Sequence, residues 1–313
     1  MARKQLAVWY RAFGLGMGET DGATGIDPAD GARPPSTSYL VCSSARSGSS
    51  LLCDYLTSTG VAGRPDEYFS RARPGGALQD PEWLKSRDAL APMAYLEELV
   101  RLGSTPNGVF GAKITTTTLV DLLSLLREAF EDRPLTDAEL LARAFPGLRL
   151  VFTTRRDKIR QAVSLLRVLQ TRQFSLREPA ATPDQAGARY SFPLVEMFVN
   201  DLVAGERDWE ELFSQWHNHP HTVVYEDLAA RPDETVRGVL SFLGVDEAAA
   251  IVPQTSLRPQ SDAVSAAWAE RHHRRKHTLH RLLLAAGLPA VLRNRNLTWY
   301  FLTRRFRPGR RAP

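Results

Sequence analysis

The stretch that most constrains this chain is Tyr39–Leu52, YLVCSSARSGSSLL. A short apolar run, Tyr39 to Cys42, gives way to a loop of small polar residues, Ser43 to Ser50, and Leu51 and Leu52 then open a helical pattern through Leu56. Strand, tight loop and helix in that order expose backbone N–H groups at the helix N-terminus, where the partial positive charge favours an anion. Gly48 permits close backbone approach, Ser47, Ser49 and Ser50 offer hydroxyl donors, and Arg46 offers a planar cationic fork. No Lys follows Gly48, so the Gly-Lys-Ser/Thr ending of a nucleotidase phosphate loop is missing. By itself the stretch fits two readings, an anion cradle and a serine-rich turn that caps a helix.

The alternation recurs downstream. Gly108–Ile114 (GVFGAKI) reads as a second strand with Lys113 near its carboxyl end, Leu148–Thr154 (LRLVFTT) as a third, and His221–Tyr225 (HTVVY) as a fourth. Helical patterns cover 51–59, 94–102, 119–130, 135–145, 159–170, 193–203, 208–216 and 232–243. Thr115 to Thr118 fit either a loop or the opening of a helix. Repeated strand and helix predict an α/β chain with a mainly parallel sheet flanked by helices, whose ligands gather at the carboxyl ends of the strands.

Several side chains stand out against that frame. Glu67 lies beside Tyr68 and Phe69 in the turn GVAGRPDEYFS, where a carboxylate is either an ordinary solvated residue or a partly desolvated base. Arg155 ends the third strand and Ser164 follows two turns into the next helix; cation and hydroxyl can grip a phosphate from two sides, or the Arg155–Arg156 pair can simply neutralise Asp157. His217, His219 and His221 have a chelating spacing, yet a polar turn before a strand accounts for them without a metal. Cys42 and Cys53, the only cysteines, read as small buried residues in a reducing cytoplasm.

Charge divides the chain. From Arg271 to the end there are twelve Lys/Arg and no Asp or Glu, which leaves residues 1–270 with 28 bases against 35 acids. The 43% apolar content supports a sizeable core, and no run of 18 uncharged apolar residues is present to span a membrane. Residues 1–37, rich in Gly, Asp, Ala and Pro, read as a flexible leader; Arg11 breaks their apolar start, which argues against an export signal. The expected division is a leader (1–37), one domain (38–275) and a basic, partly amphipathic extension (276–313).

Taken together, YLVCSSARSGSSLL, GVAGRPDEYF, TPNGVFGAK at 105–113, RRDxxxQAVS from Arg155, YEDL from Tyr225 and QSDAVSAAW at 260–268 resemble the PAPS-dependent sulfotransferases, and among them the bacterial trehalose 2-sulfotransferase-like family. The resemblance implies a P-loop-like sulfotransferase fold. It implies that Arg46, Ser47, Gly48, Ser49 and Ser50 hold the 5′-phosphosulfate of 3′-phosphoadenosine 5′-phosphosulfate (PAPS), that Arg155 and Ser164 hold the 3′-phosphate, and that Leu51 and Gln260 contribute to the donor site. Thr115 stands where the wider fold has a catalytic His; the family resemblance places the base at Glu67 instead, with Lys113 beside the leaving group. No metal is expected. Arg258 is displaced one place from the family pattern by Pro259, while Gln260 and Trp268 match.

The expected acceptor is a small-molecule or glycolipid hydroxyl, and the family suggests a homodimer. Two other readings remain at this point. A nucleotide kinase needs the absent loop Lys. A membrane-surface binding protein would act through 276–313, whose interleaved basic, leucine and aromatic residues suit lipid better than nucleic acid. The expected location is the cytoplasm, with the inner membrane face as a candidate contact for the tail.

Overall fold

The computed structural model describes residues 35–70, 90–130, 135–171, 188–216, 219–246, 255 and 263–285. In chain order the elements are β1 (Thr37–Ser43), α1 (Ser49–Ser58), α2 (Pro92–Leu102), β2 (Val109–Thr115), α3 (Thr116–Ala129), α4 (Asp137–Ala144) and β3 (Arg149–Thr154). They continue with α5 (Lys158–Thr171), α6 (Phe192–Gln215), β4 (His221–Val224), α7 (Tyr225–Ala230), α8 (Pro232–Leu243) and α9 (Ala263–Ala285). The described residues fall into two compact units, one within 1–156 and 205–256, the other within 157–204 and 257–313.

The first unit holds a parallel sheet in the order β2-β1-β3-β4. Alternation along β1 explains its central place. Leu40 and Cys42 join Phe110, Ala112, Ile114, Leu150 and Phe152 in one core, capped by leucines of α2 and α3 and by Trp209 and Phe213. Tyr39 and Val41 face the other way, into a core with Val151, Val223, Leu52 and Leu56 of α1 and four apolar residues of α8. A strand buried on both faces reads as a continuous apolar run, and β1 does. Both cysteines are buried free thiols.

One boundary that the sequence left open is decided, and two others differ from the sequence reading. Thr115 is both the last residue of β2 and the N-cap of α3: its hydroxyl accepts from the Thr118 amide at 3.2 Å, and the Thr118 hydroxyl accepts from the Thr115 amide at 2.7 Å. That reciprocal cap turns Thr116–Thr118 into helix. The separate helices expected at 193–203 and 208–216 are one helix, α6. Gly205 interrupts the apolar pattern, but a lone helical Gly costs about 1 kcal/mol and does not break a 24-residue helix. Tyr225, read as the end of the fourth strand, opens α7, where Glu226 and Asp227 in the first turn complement the helix dipole.

In the second unit α9 is tied at one end to the chain before and within α6. The buried His272 bonds Glu196 Oε1 at 2.7 Å and the Tyr190 hydroxyl at 3.1 Å, with its ring stacked on Phe192. Ser265 accepts from Arg167 of α5. No helix among the described residues is long and apolar enough to cross a membrane.

Candidate active site

Register brings three strand ends level. Ser43 at the end of β1 lies opposite Thr115 of β2 and Thr153 of β3. The chain leaves β1 for β2 on one side and then returns to β3 on the other, so the loop after β1 sits at the switch point where open sheets bind ligands. Within that loop Arg46 has φ 62° and Gly48 φ 91°. Left-handed residues two apart fold the backbone into a tight bend, and Gly48, the N-cap of α1, places no side-chain cap on the helix N-terminus. The loop is fastened on both flanks. Ser47 shares a 2.8 Å hydrogen bond with Thr153 of β3, and Lys113 Nζ of β2 donates to Ser50 Oγ at 2.9 Å.

A second turn delivers Glu67 to the same place. The Tyr39 hydroxyl donates to the Ala62 carbonyl at 2.6 Å, and the Gly63 amide donates to Thr105 Oγ1 at 3.0 Å. Gly63 has φ 72°, and a Cβ there would come within 2.9 Å of the Gly103 carbonyl and 2.8 Å of the Gly111 nitrogen. The Asp66 carbonyl then accepts from the Lys113 amide at 2.9 Å, while Tyr68 and Phe69 bury in the core. With its neighbours so held, Glu67 projects between them and sets Oε1 3.0 Å from Lys113 Nζ. Burial by itself pulls the Lys113 ammonium down. The negative charge of Glu67, helped by Cys53, Asp66 and the hydrogen bond to Glu67, outweighs it and holds the pKa above its ordinary value. Burial also pushes the nearby Cys53 thiol up to about 12, so it stays protonated.

Across β1, Arg155 follows β3 and is nearly buried. Its guanidinium lies 4.4 Å from the Tyr225 ring centroid, and its Nε is 3.5 Å from Glu226 Oε1. The same Tyr225 packs against the loop: a Cβ on Gly48 would meet Tyr225 Cδ2 at 2.6 Å. One aromatic ring therefore connects the loop bend to Arg155. Arg156 is exposed and pairs with Asp227, and its amide donates to Glu226 Oε2 at 3.0 Å. Asp157 accepts from the Arg160 amide at 2.9 Å and pairs with the Arg160 side chain.

The first unit thus assembles Arg46, Ser47, Gly48, Ser49, Ser50, Glu67, Lys113 and Arg155 at the carboxyl end of one sheet. Leu51 turns its side chain toward the α1–α8 core. Ser164 stands half-buried on α5 of the second unit, and Gln260 lies outside the described residues. Among the described residues no group of three or more His, Cys, Asp or Glu converges as a metal site.

A family model described as Stf0 sulphotransferase matches residues 38–275. The chain belongs to the Stf0 sulphotransferase family. It is 32% identical over 261 residues to a trehalose 2-sulfotransferase of Mycolicibacterium smegmatis, an alignment covering 76% of this chain and 95% of that one. Identity is 28% over 254 residues to a trehalose 2-sulfotransferase of Mycobacterium tuberculosis, covering 75% and 93%. A crystal structure of a sulfotransferase from Alicyclobacillus acidocaldarius aligns with a TM-score of 0.41 at 17% identity, over 79% of this chain and 96% of that one. The site of this Stf0 sulphotransferase includes two side chains to which sequence reasoning gave no role. Thr153 looks like ordinary strand filler until its hydroxyl meets Ser47. Tyr225 stood in the quoted YEDL motif, and its aromatic ring following a strand end was the available signal.

Proposed function

We propose that this Stf0 sulphotransferase moves a sulfuryl group from PAPS to a hydroxyl of a carbohydrate acceptor, with Glu67 as general base. The observation that carries the reading is the chain Glu67–Lys113–Ser50, which joins a carboxylate and a nearly buried ammonium to the loop at the head of α1. The residues suit an anionic donor: a doubly left-handed bend, a helix N-terminus without a side-chain cap, and the cations Arg46, Lys113 and Arg155 around it. PAPS, when bound, supplies a sulfur joined to a leaving phosphate through one bridging oxygen.

Each residue then has a defined task. Glu67 takes the proton from the acceptor hydroxyl as that oxygen bonds to sulfur and the bridging S–O bond breaks, releasing adenosine 3′,5′-bisphosphate. Lys113, a point charge shared by Glu67 and the loop, neutralises charge building on the bridging oxygen together with Arg46. Arg155, steadied by Tyr225, holds the 3′-phosphate. Two relatives named for trehalose make that disaccharide the first acceptor to test.

The direct test incubates the protein with PAPS and trehalose and follows the mass of one added sulfuryl group on the sugar. A second arm compares adenosine 3′,5′-bisphosphate with ATP as ligands in thermal melting. A rise with the bisphosphate and none with ATP is expected. A larger rise with ATP, or no sulfated sugar from a panel of carbohydrates, overturns the assignment.

A further inference from the structure

The helix α9 changes character at Lys276. Up to that point it is anchored: Ala269 and His272 are buried, Arg275 lies over the Phe192 ring at 4.8 Å, and Lys276 Nζ pairs with Glu196 at 2.9 Å. Beyond it, His277, Thr278, Leu279, His280, Arg281, Leu282 and Ala285 are all exposed. Most helices in folded proteins draw their stability from packing one face, and none of these seven residues is buried.

We propose that residues 277–285 form an adsorption surface for an anionic phospholipid bilayer. Two properties select that partner. The first is charge, since no Asp or Glu follows Glu270 and twelve Lys/Arg run from Arg271 to the end of the chain. The second is an apolar pair set among the bases. Leu279 and Leu282 are 41% and 62% exposed, stand three residues apart, and share a face with Arg275. A bilayer takes both, with arginine at the headgroups and leucine at the acyl boundary, whereas a nucleic-acid backbone takes the charge and leaves the leucines in water. The sequence past 285 keeps the same composition, with seven further arginines and the run Trp299, Tyr300, Phe301. No helix among the described residues is long and apolar enough to cross a membrane.

The test is co-sedimentation of the full chain with phosphatidylcholine vesicles, with and without phosphatidylglycerol. Pelleting is expected with the anionic vesicles at low salt and is reduced by high salt to a small remaining fraction. Arg281→Glu weakens binding about thirtyfold, the effect of reversing one charge near an anionic surface. The double variant Leu279→Ser/Leu282→Ser removes the fraction that survives high salt. Both variants keep the wild-type melting shift with adenosine 3′,5′-bisphosphate, which shows them folded and separates this inference from the donor site. Equal pelleting with neutral vesicles overturns the proposal, as does unchanged binding by Arg281→Glu. Tighter binding to duplex DNA than to anionic vesicles would also overturn it and assign the surface to nucleic acid.

Discussion

Lys113 and Arg155 sit on opposite sides of β1, each with a side chain about one-tenth exposed and each facing a carboxylate, yet they are held in different ways. The ammonium is hydrogen-bonded at both ends of its reach, to Glu67 at 3.0 Å and to Ser50 at 2.9 Å. The guanidinium is oriented by a ring face, with Glu226 farther off at 3.5 Å. A flexible stem carrying a point charge can follow charge that moves during a reaction, whereas a planar fork fixed against an aromatic suits an anion that stays put. In the proposed function the pairing of Lys113 with Glu67 belongs to the reacting side of the site and the stacking of Arg155 on Tyr225 to the binding side.

The most severe way to break this division is on the reacting side. Glu67→Gln keeps the shape and removes the proton acceptor, so kcat is expected to fall about a thousandfold, while the Kd for adenosine 3′,5′-bisphosphate by calorimetry stays unchanged. A wild-type turnover number in that variant would remove Glu67 from the mechanism. Arg155→Ala should do the reverse, weakening the bisphosphate by roughly ten- to a hundredfold, the range for losing charge-assisted hydrogen bonds. Should kcat collapse instead with Kd intact, the two sides have been assigned the wrong way round.

Gly48→Ala strikes the element that both sides share. A side chain there is strained at φ 91° and displaces Tyr225, so both donor affinity and melting temperature should drop, at a cost of about 1–3 kcal/mol in stability. The pH dependence separates the sides more gently. Because the folded-state pKa of Lys113 lies above its ordinary 10.5, the stability its charge contributes is complete below that value and is lost as pH rises through the folded-state pKa. The melting-temperature gap between wild type and Lys113→Met should therefore hold from neutrality to near 10.5 and close above it. The smallest effect belongs to Arg156→Ala. That guanidinium is 60% exposed in its pair with Asp227, so donor affinity is expected to shift by less than about threefold.

The strands were legible because burial on two faces demands uninterrupted apolar runs, whereas the loop within Tyr39–Leu52 fitted both an anion cradle and a capping turn from its own residues. Glu67 was not legible from its own neighbourhood. Tyr68 and Phe69 beside it left two readings open because its partner Lys113 lies on another strand, and the family resemblance chose between them. Tyr225 was hidden for a related reason: its register as strand or helix is decided by Glu226 and Asp227, and its partners Gly48 and Arg155 come from two distant loops. The unity of α6 escaped because Gly205 has a helix propensity weak enough to suggest a break and a cost too small to cause one.

The hydrogen bond from the Lys113 amide to the Asp66 carbonyl joins main chain to main chain. The strand that carries Lys113 and the turn that carries Glu67 are thereby joined backbone to backbone. Engineers who wish to change the acceptor therefore have a fixed datum. The carboxylate should keep its station in variants that leave the peptide joint at Asp66 and the Gly63–Thr105 hydrogen bond intact.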